Sequence, residues 1–124
     1  MGLRILSVDD LHDAAESLAQ LLLAMGHRAV AVTDPRKVEE TVERFRPHIV
    51  FLDIGMPGLD GWQIARRLRE RYQSEVLKLV AMTGHGKVDD HVMSRRAGFD
   101  AHLTKPADAQ LLESILLQFF PRAG

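Results

Sequence analysis

The sequence predicts a parallel α/β fold of five strands and five helices in one domain, and three features carry that reading. Short β-branched or apolar runs alternate with longer helical patterns along the chain, the signature of repeated βαβ units. The third run, residues 48–53, is almost continuously apolar, as expected of a central parallel strand covered on both faces. Charged residues gather where the strand-like runs stop: Asp9 and Asp10 after LRILSV, Asp53 after HIVFL, and Lys105 in AHLTKP.

Taken in order, strand β1 is expected over residues 3–8 and helix α1 over about residues 12–25. In α1, Leu18, Leu21, Leu22 and Met25 recur at helical spacing, and Gly26 is placed to close the helix. Strand β2, residues 28–32, leads to Asp34 as an N-cap and Pro35 at the first position of α2, which stops near Arg46 and Pro47. Strand β3 is residues 48–53, α3 about 61–72, and β4 residues 77–82. Helix α4 covers about residues 87–97 with Gly98 as its cap, and β5 covers residues 101–104. Helix α5, about residues 108–120, carries a core stripe of Leu111, Leu112, Ile115, Leu116 and Phe119. No linker, low-complexity segment or internal repeat interrupts the pattern, so residues 1–124 are expected to form one domain.

Composition narrows the function classes. Sixteen basic and 17 acidic residues give a net charge of −1, with no electrostatic footprint for nucleic acid or anionic lipid. The basic clusters at residues 66–71 and 95–96 lie in helical patterns and read as solvated faces. Cysteine is absent, which excludes disulfide and thiol chemistry and is compatible with a reducing cytosol. Apolar runs are too short for a membrane span, and the N-terminus lacks the apolar core of a signal peptide, so a cytoplasmic protein is expected. The histidines at 12, 27, 48 and 91 lack metal-ligand spacing, Trp62 reads as packing, and the methionines read as filler.

The strand ends carry the chemistry. In a parallel α/β sheet the carboxyl ends of the strands line one edge, where ligands bind, so Asp9, Asp10, Asp53 and Lys105 are expected to meet. Three crowded carboxylates repel one another unless a cation sits among them, and an oxygen-only set suits a hard ion such as Mg²⁺. That is the composition of a metal-dependent phosphoryl site.

With VDD at 8–10, LDIGMPGLDGW at 52–62, MTGHG at 82–86 and LTKP at 103–106, the chain resembles a receiver domain of two-component response regulators over essentially its full length. Each motif alone is modest; four in order at strand ends are specific. The resemblance implies a doubly wound sheet in the flavodoxin-like order 2-1-3-4-5. It implies Asp53 as phosphoacceptor, Asp10 as a direct Mg²⁺ ligand, Asp9 acting mainly through water, and the Gly55 carbonyl completing the protein's share. Lys105 would oppose the phosphoryl oxygens, with a cis bond to Pro106 shaping its turn, while Thr83 would be the switch hydroxyl and Gly84 would leave room and offer an N–H. Asp13 reads instead as a surface charge favoured by the helix dipole.

Two positions depart from the commonest pattern. His102 stands where the family usually has Tyr or Phe, which puts an aromatic switch in question, and Gly55 removes a side chain that in relatives governs water access. His85 occupies the other tuning position. The partners implied are a histidine kinase or histidine phosphotransfer protein as donor and a downstream protein at the α4-β5-α5 face, with no direct nucleic-acid contact and no membrane. The chain would then be a regulatory phosphoacceptor, acting alone or as a receiver module of a larger regulator or hybrid kinase. A haloacid dehalogenase-type phosphohydrolase would also use Asp, Lys, Thr and Mg²⁺, but it wants a second Asp where Gly55 stands. A pseudo-receiver would lack the set that is intact here: Asp9, Asp10, Asp53, Thr83 and Lys105.

Overall fold

Five parallel strands, in the order β2-β1-β3-β4-β5, form the sheet in the computed structural model, which describes residues 2–55, 61–84 and 95–121. The strands are β1 Arg4–Val8, β2 Arg28–Val32, β3 Ile49–Asp53, β4 Lys78–Thr83 and β5 Ala101–Thr104. Helices α1 His12–Ala24, α2 Val38–Phe45, α3 Gly61–Arg71 and α5 Ala109–Phe119 connect or follow them, and residues 95–97 end α4. The expected strand order and element count hold. His85, the turn at 56–58 and α4 before residue 95 lie outside the described residues.

Every residue of β3 is buried, as its apolar run requires of the middle strand. Alternation sends its side chains to two cores. Val50 and Leu52 join Val38 and Val42 of α2 and Ile64, Ala65 and Leu68 of α3 on one face. Ile49 and Phe51 join Leu22 of α1 and Leu112, Ile115 and Leu116 of α5 on the other. Burying apolar surface on both faces drives the fold and fixes β3's register, because a one-residue slip would exchange the two sets.

Local differences from the expected boundaries have physical causes. Asp34 does cap a helix start, accepting from Arg36 N at 3.0 Å, but the turn it caps, Pro35–Lys37, is a 3₁₀ turn, and α2 proper begins at Val38. Arg46 ends α2 with φ +54°, a left-handed cap taken by a residue other than glycine. Gly26 and Gly98, with φ +94° and +101°, close α1 and α4 as expected. β4 runs one residue further than expected, so that Thr83 pairs with Thr104.

One expectation is corrected. The run at 66–71 is not uniformly a solvated face: Arg66, Arg67 and Arg71 are exposed, but Arg69 is largely buried. Its guanidinium donates to Gly98 O at 2.7 Å, Leu77 O at 2.6 Å and Asp100 Oδ2 at 2.5 Å. Five N–H donors in a planar fork satisfy several acceptors at once, which makes arginine suitable for such a position. Asp100 is saturated in return, accepting also from Leu79 N at 2.8 Å and from the Ser74 hydroxyl. This cluster fastens the end of α3, the start of β4 and the entrance to β5 together.

Two of the histidines that lack metal spacing have a structural task at the amino ends of the strands. His27 Nδ1 accepts from Leu3 N at 3.0 Å, and His48 Nδ1 accepts from Arg4 N at 2.9 Å. Burial holds both imidazoles below the ordinary histidine pKa. No helix among the described residues is long and apolar enough to cross a membrane.

Candidate functional site

Strand alternation decides the face on which each charged residue emerges. Ile5, Phe51 and Leu103 all belong to the core shared by α1 and α5. Stepping on by twos from each gives Asp9, Asp53 and Lys105. At the carboxyl edge, beyond the apolar layers, these side chains converge. Lys105 Nζ lies 2.6 Å from Asp9 Oδ2 and 3.1 Å from Asp53 Oδ2. Asp10 completes the group, since Asp9, Asp10 and Asp53 each offer a carboxylate oxygen within 4.8 Å of the others.

Backbone groups hold two of the carboxylates in place. Asp53 Oδ1 accepts from Gly55 N at 2.8 Å, and Asp9 Oδ1 accepts from Leu11 N at 3.1 Å at the entry to α1. Each aspartate therefore shapes the turn after its strand and also presents its other oxygen to Lys105. Asp10 makes no hydrogen bond to any described residue, so its carboxylate remains available. Lys105 is itself anchored, its N–H donating to Thr83 O at 2.7 Å, and the Lys105–Pro106 bond is cis.

Among the described residues the charges do not balance: three carboxylates face one ammonium. Burial pushes the Asp53 carboxyl above its ordinary pKa, and the Asp9 charge adds to this, against the opposing pull of Gly55 N–H and Lys105. For Lys105 burial acts downward, but hydrogen bonds and attraction from Asp9 and Asp53 outweigh it and raise the pKa. Lys105 thus stays charged while Asp53 is ionised at a cost. An oxygen-only cluster with surplus negative charge fits a hard divalent cation.

Thr83 emerges on the opposite side of the sheet, with His102. Its hydroxyl lies 3.1 Å from His102 Nε2, a contact between the expected switch hydroxyl and the residue that departs from the usual aromatic. A Cβ built on Gly84 would meet no described residue within 4 Å, so among those residues there is room at the end of β4.

The sequence reading missed two contributors. Gly61, first residue of α3, lies so close to the backbone after Asp53 that a Cβ would sit 2.8 Å from Ile54 Cα and 3.0 Å from Asp53 O. Only glycine lets the helix approach there, and the Asp-Gly-Trp sequence at 60–62 was its available signal. The Thr83–His102 bond had none, because its partners are 19 residues apart. Beside Lys105, a mainly apolar cleft of about 270 Å³, lined by Leu18, Leu21, Met82 and Pro106 among others, flanks the charges with low-dielectric walls.

Comparison with known proteins agrees with this geometry. Residues 5–117 match the response regulator receiver domain family. The protein PilH of Pseudomonas aeruginosa is 30% identical over 109 residues, covering 88% of this chain and 90% of PilH. The response regulator protein FleR of the same organism is 35% identical over 112 residues, covering 90% of this chain but only 23% of FleR. Among solved structures, the chemotaxis protein CheY4 of Vibrio cholerae superposes with a TM-score of 0.88 at 18% identity over 97% of this chain and 100% of CheY4, a likeness of fold. A CheY-like receiver domain protein from Methanospirillum hungatei gives 0.84 at 25% identity, covering 96% and 94% of the two chains. With its family match, its sheet order and its acidic edge in agreement, the chain belongs to the response regulator receiver domain family.

Proposed function

We propose that Asp53 is the phosphoacceptor of this receiver domain, which spans the whole chain of 124 residues. Receiver domains act as regulatory phosphoacceptors in two-component signalling. The observation that carries the assignment is the position of Asp53: buried on a central strand, yet with Lys105 Nζ 3.1 Å from Oδ2. In the transfer an Asp53 oxygen forms the new bond to phosphorus as the bond from phosphorus to the donor's leaving atom breaks, and the leaving group takes up a proton. A carboxylate is a modest nucleophile, so positioning and charge neutralisation supply most of the catalysis.

Asp10 and Asp53 would ligate Mg²⁺ directly, with Asp9 acting through water and the Gly55 carbonyl also contributing. Support for placing Asp10 ahead of Asp9 comes from hydrogen bonding: the Asp10 carboxylate has no partner among the described residues, whereas both oxygens of Asp9, like both of Asp53, already have one. Bound Mg²⁺ would supply the charge neutralisation that one lysine cannot. Lys105 would hold the phosphoryl oxygens, Thr83 would turn toward the new group, Gly84 would make room, and His85 would tune hydrolysis. The phosphoryl group arrives from a histidine kinase or a histidine phosphotransfer protein in the cytoplasm. The changed α4-β5-α5 surface then selects a downstream protein.

Incubation with Mg²⁺ and a small phosphodonor should add one base-labile phosphoryl group, read by intact mass and located by peptide mapping. Asp53→Asn should abolish it. Equal incorporation in that variant, or incorporation that survives chelation of divalent metal, would overturn the assignment.

A further inference from the structure

At the amino edge of the sheet, opposite the Asp53 edge, a second cavity of about 240 Å³ lies among the starts of β1 and β3, the end of α2 and the segment between α3 and β4. Val42, Pro47 and Leu77 line it with buried apolar surface, and Val76 lines it while 64% exposed. Arg4, Arg46, His48 and Tyr72 complete the lining, and no described carboxylate does. The polar atoms there are mostly donors. Arg4 Nε donates to Arg46 O at 2.8 Å, which fixes the guanidinium but leaves its two terminal nitrogens without an acceptor among the described residues. The Arg46 guanidinium has no partner among them either. His48 Nδ1 accepts from Arg4 N at 2.9 Å, and burial together with the Arg4 charge favours the neutral ring, so the ring proton is on Nε2. Glu43, next to Val42, is engaged by Arg71 at 3.5 Å instead. The backbone adds an independent sign: Arg46 has φ +54° and ψ +58°, a left-handed conformation that glycine adopts at less cost. The chain thus carries a cation beside the cavity at a position whose backbone suits glycine better.

Two guanidiniums free of carboxylates, beside apolar walls, complement one ligand chemistry. We propose that this cavity binds a small organic acid, its carboxylate held by Arg4 and Arg46 and its apolar body, about the size of one ring, against Val42, Val76 and Leu77. Guanidinium groups take carboxylates through paired N–H donors. A cavity of about 150 Å³ holds benzene, so about 240 Å³ leaves space for a ring and its acid group. A bare inorganic anion would leave the apolar wall in water, and a neutral ring would leave both cations unused. The site stands apart from the phosphoacceptor assignment, since its residues lie at the other end of the strands.

Benzoate is the probe. Titrated into the protein in chelator and followed by amide spectra, it should shift residues around 42–48 and 76–77 saturably, with equal affinity in Asp53→Asn. Arg46→Gly retains the left-handed turn and its carbonyl, so the fold stands while benzoate affinity falls about tenfold, and Arg4→Gln should lose a similar factor. Benzyl alcohol and inorganic phosphate, each with half of the chemistry, should bind at least about tenfold more weakly than benzoate. The proposal is overturned if no saturable shift occurs in these segments, or if Arg46→Gly binds benzoate as the wild type does. Phosphate binding as tightly as benzoate would reduce the site to surface charge, and benzyl alcohol doing so would reduce it to an apolar cleft; either result also overturns it. So do shifts centred on Asp53 and Lys105 that vanish in Asp53→Asn, which would place the acid at the opposite edge.

Discussion

Among the described residues, two clusters of buried charge stand out, and they are built on opposite terms. Around Arg69 the accounts close: one guanidinium meets Asp100 and three carbonyls, and Asp100 is met by Arg69, Leu79 N and Ser74. Around Lys105 they do not, because among the described residues Asp9, Asp10 and Asp53 outnumber the one ammonium. A closed cluster holds elements together and has nothing left to bind. An open one is held in a less favourable charge state by the surrounding fold, and a surplus of negative charge of this kind suits a hard divalent cation. Functional sites commonly stand at some cost to stability in this way.

The largest expected effect breaks the closed cluster. Arg69→Ala leaves Asp100 with a buried charge lacking its cation, at side-chain exposures of 16% and 14% for the pair. Losing one partner of such a pair costs about 3 kcal/mol, a drop on the order of 10 °C in Tm for a domain this size. Below the lowered Tm, Mg²⁺-dependent phosphorylation should continue, because no hydrogen bond to Asp9, Asp53 or Lys105 comes from Arg69. Calorimetry beside a phosphorylation assay separates the two; a variant with unchanged Tm and lost phosphorylation would reverse the roles of the clusters.

The two clusters were also unequally legible in the sequence. The open site shows because its residues stand where apolar runs end, a local signal that topology converts into proximity: Asp9, Asp10, Asp53 and Lys105 converge as their positions implied. The closed cluster hides. Arg69 lies in the run Arg66-Arg67-Leu68-Arg69, which has the look of solvated surface, and its acceptors are a carboxylate and carbonyls supplied by residues 72, 77, 98 and 100. No periodicity reports a backbone carbonyl as a partner. For the same reason β3, a long apolar run, was plain, whereas the 3₁₀ start before α2 and the left-handed Arg46 depended on tertiary packing.

The amino edge sharpens the contrast on a smaller scale. His27 and His48 each accept a backbone N–H, and both have folded-state pKa values lowered by burial. In the unfolded chain they titrate near the ordinary value of about 6.5. Their contribution is therefore fully present above that pH and is lost as pH falls through 6.5 toward the folded values, because the unfolded state then binds more protons. Urea midpoints should fall between about pH 7.5 and 5.5 by less than Arg69→Ala costs. His27→Gln, which keeps an acceptor without titrating, should flatten part of that slope; an unchanged slope would contradict the assignment.

The smallest effect is the most telling, because its sign is unusual. Asp53 has a raised folded-state pKa, so at neutral pH its ionised form costs the fold stability, a cost that is relieved as pH falls through that raised value. Thermal unfolding of the wild type and Asp53→Asn, each in chelator and then in saturating Mg²⁺, compares the open cluster with and without its surplus charge. The account predicts that in chelator Asp53→Asn melts higher, by about 1 kcal/mol or a few degrees, and that Mg²⁺ raises the wild type more than the variant. A variant that melts lower in chelator, or two proteins that respond equally to Mg²⁺, would contradict it.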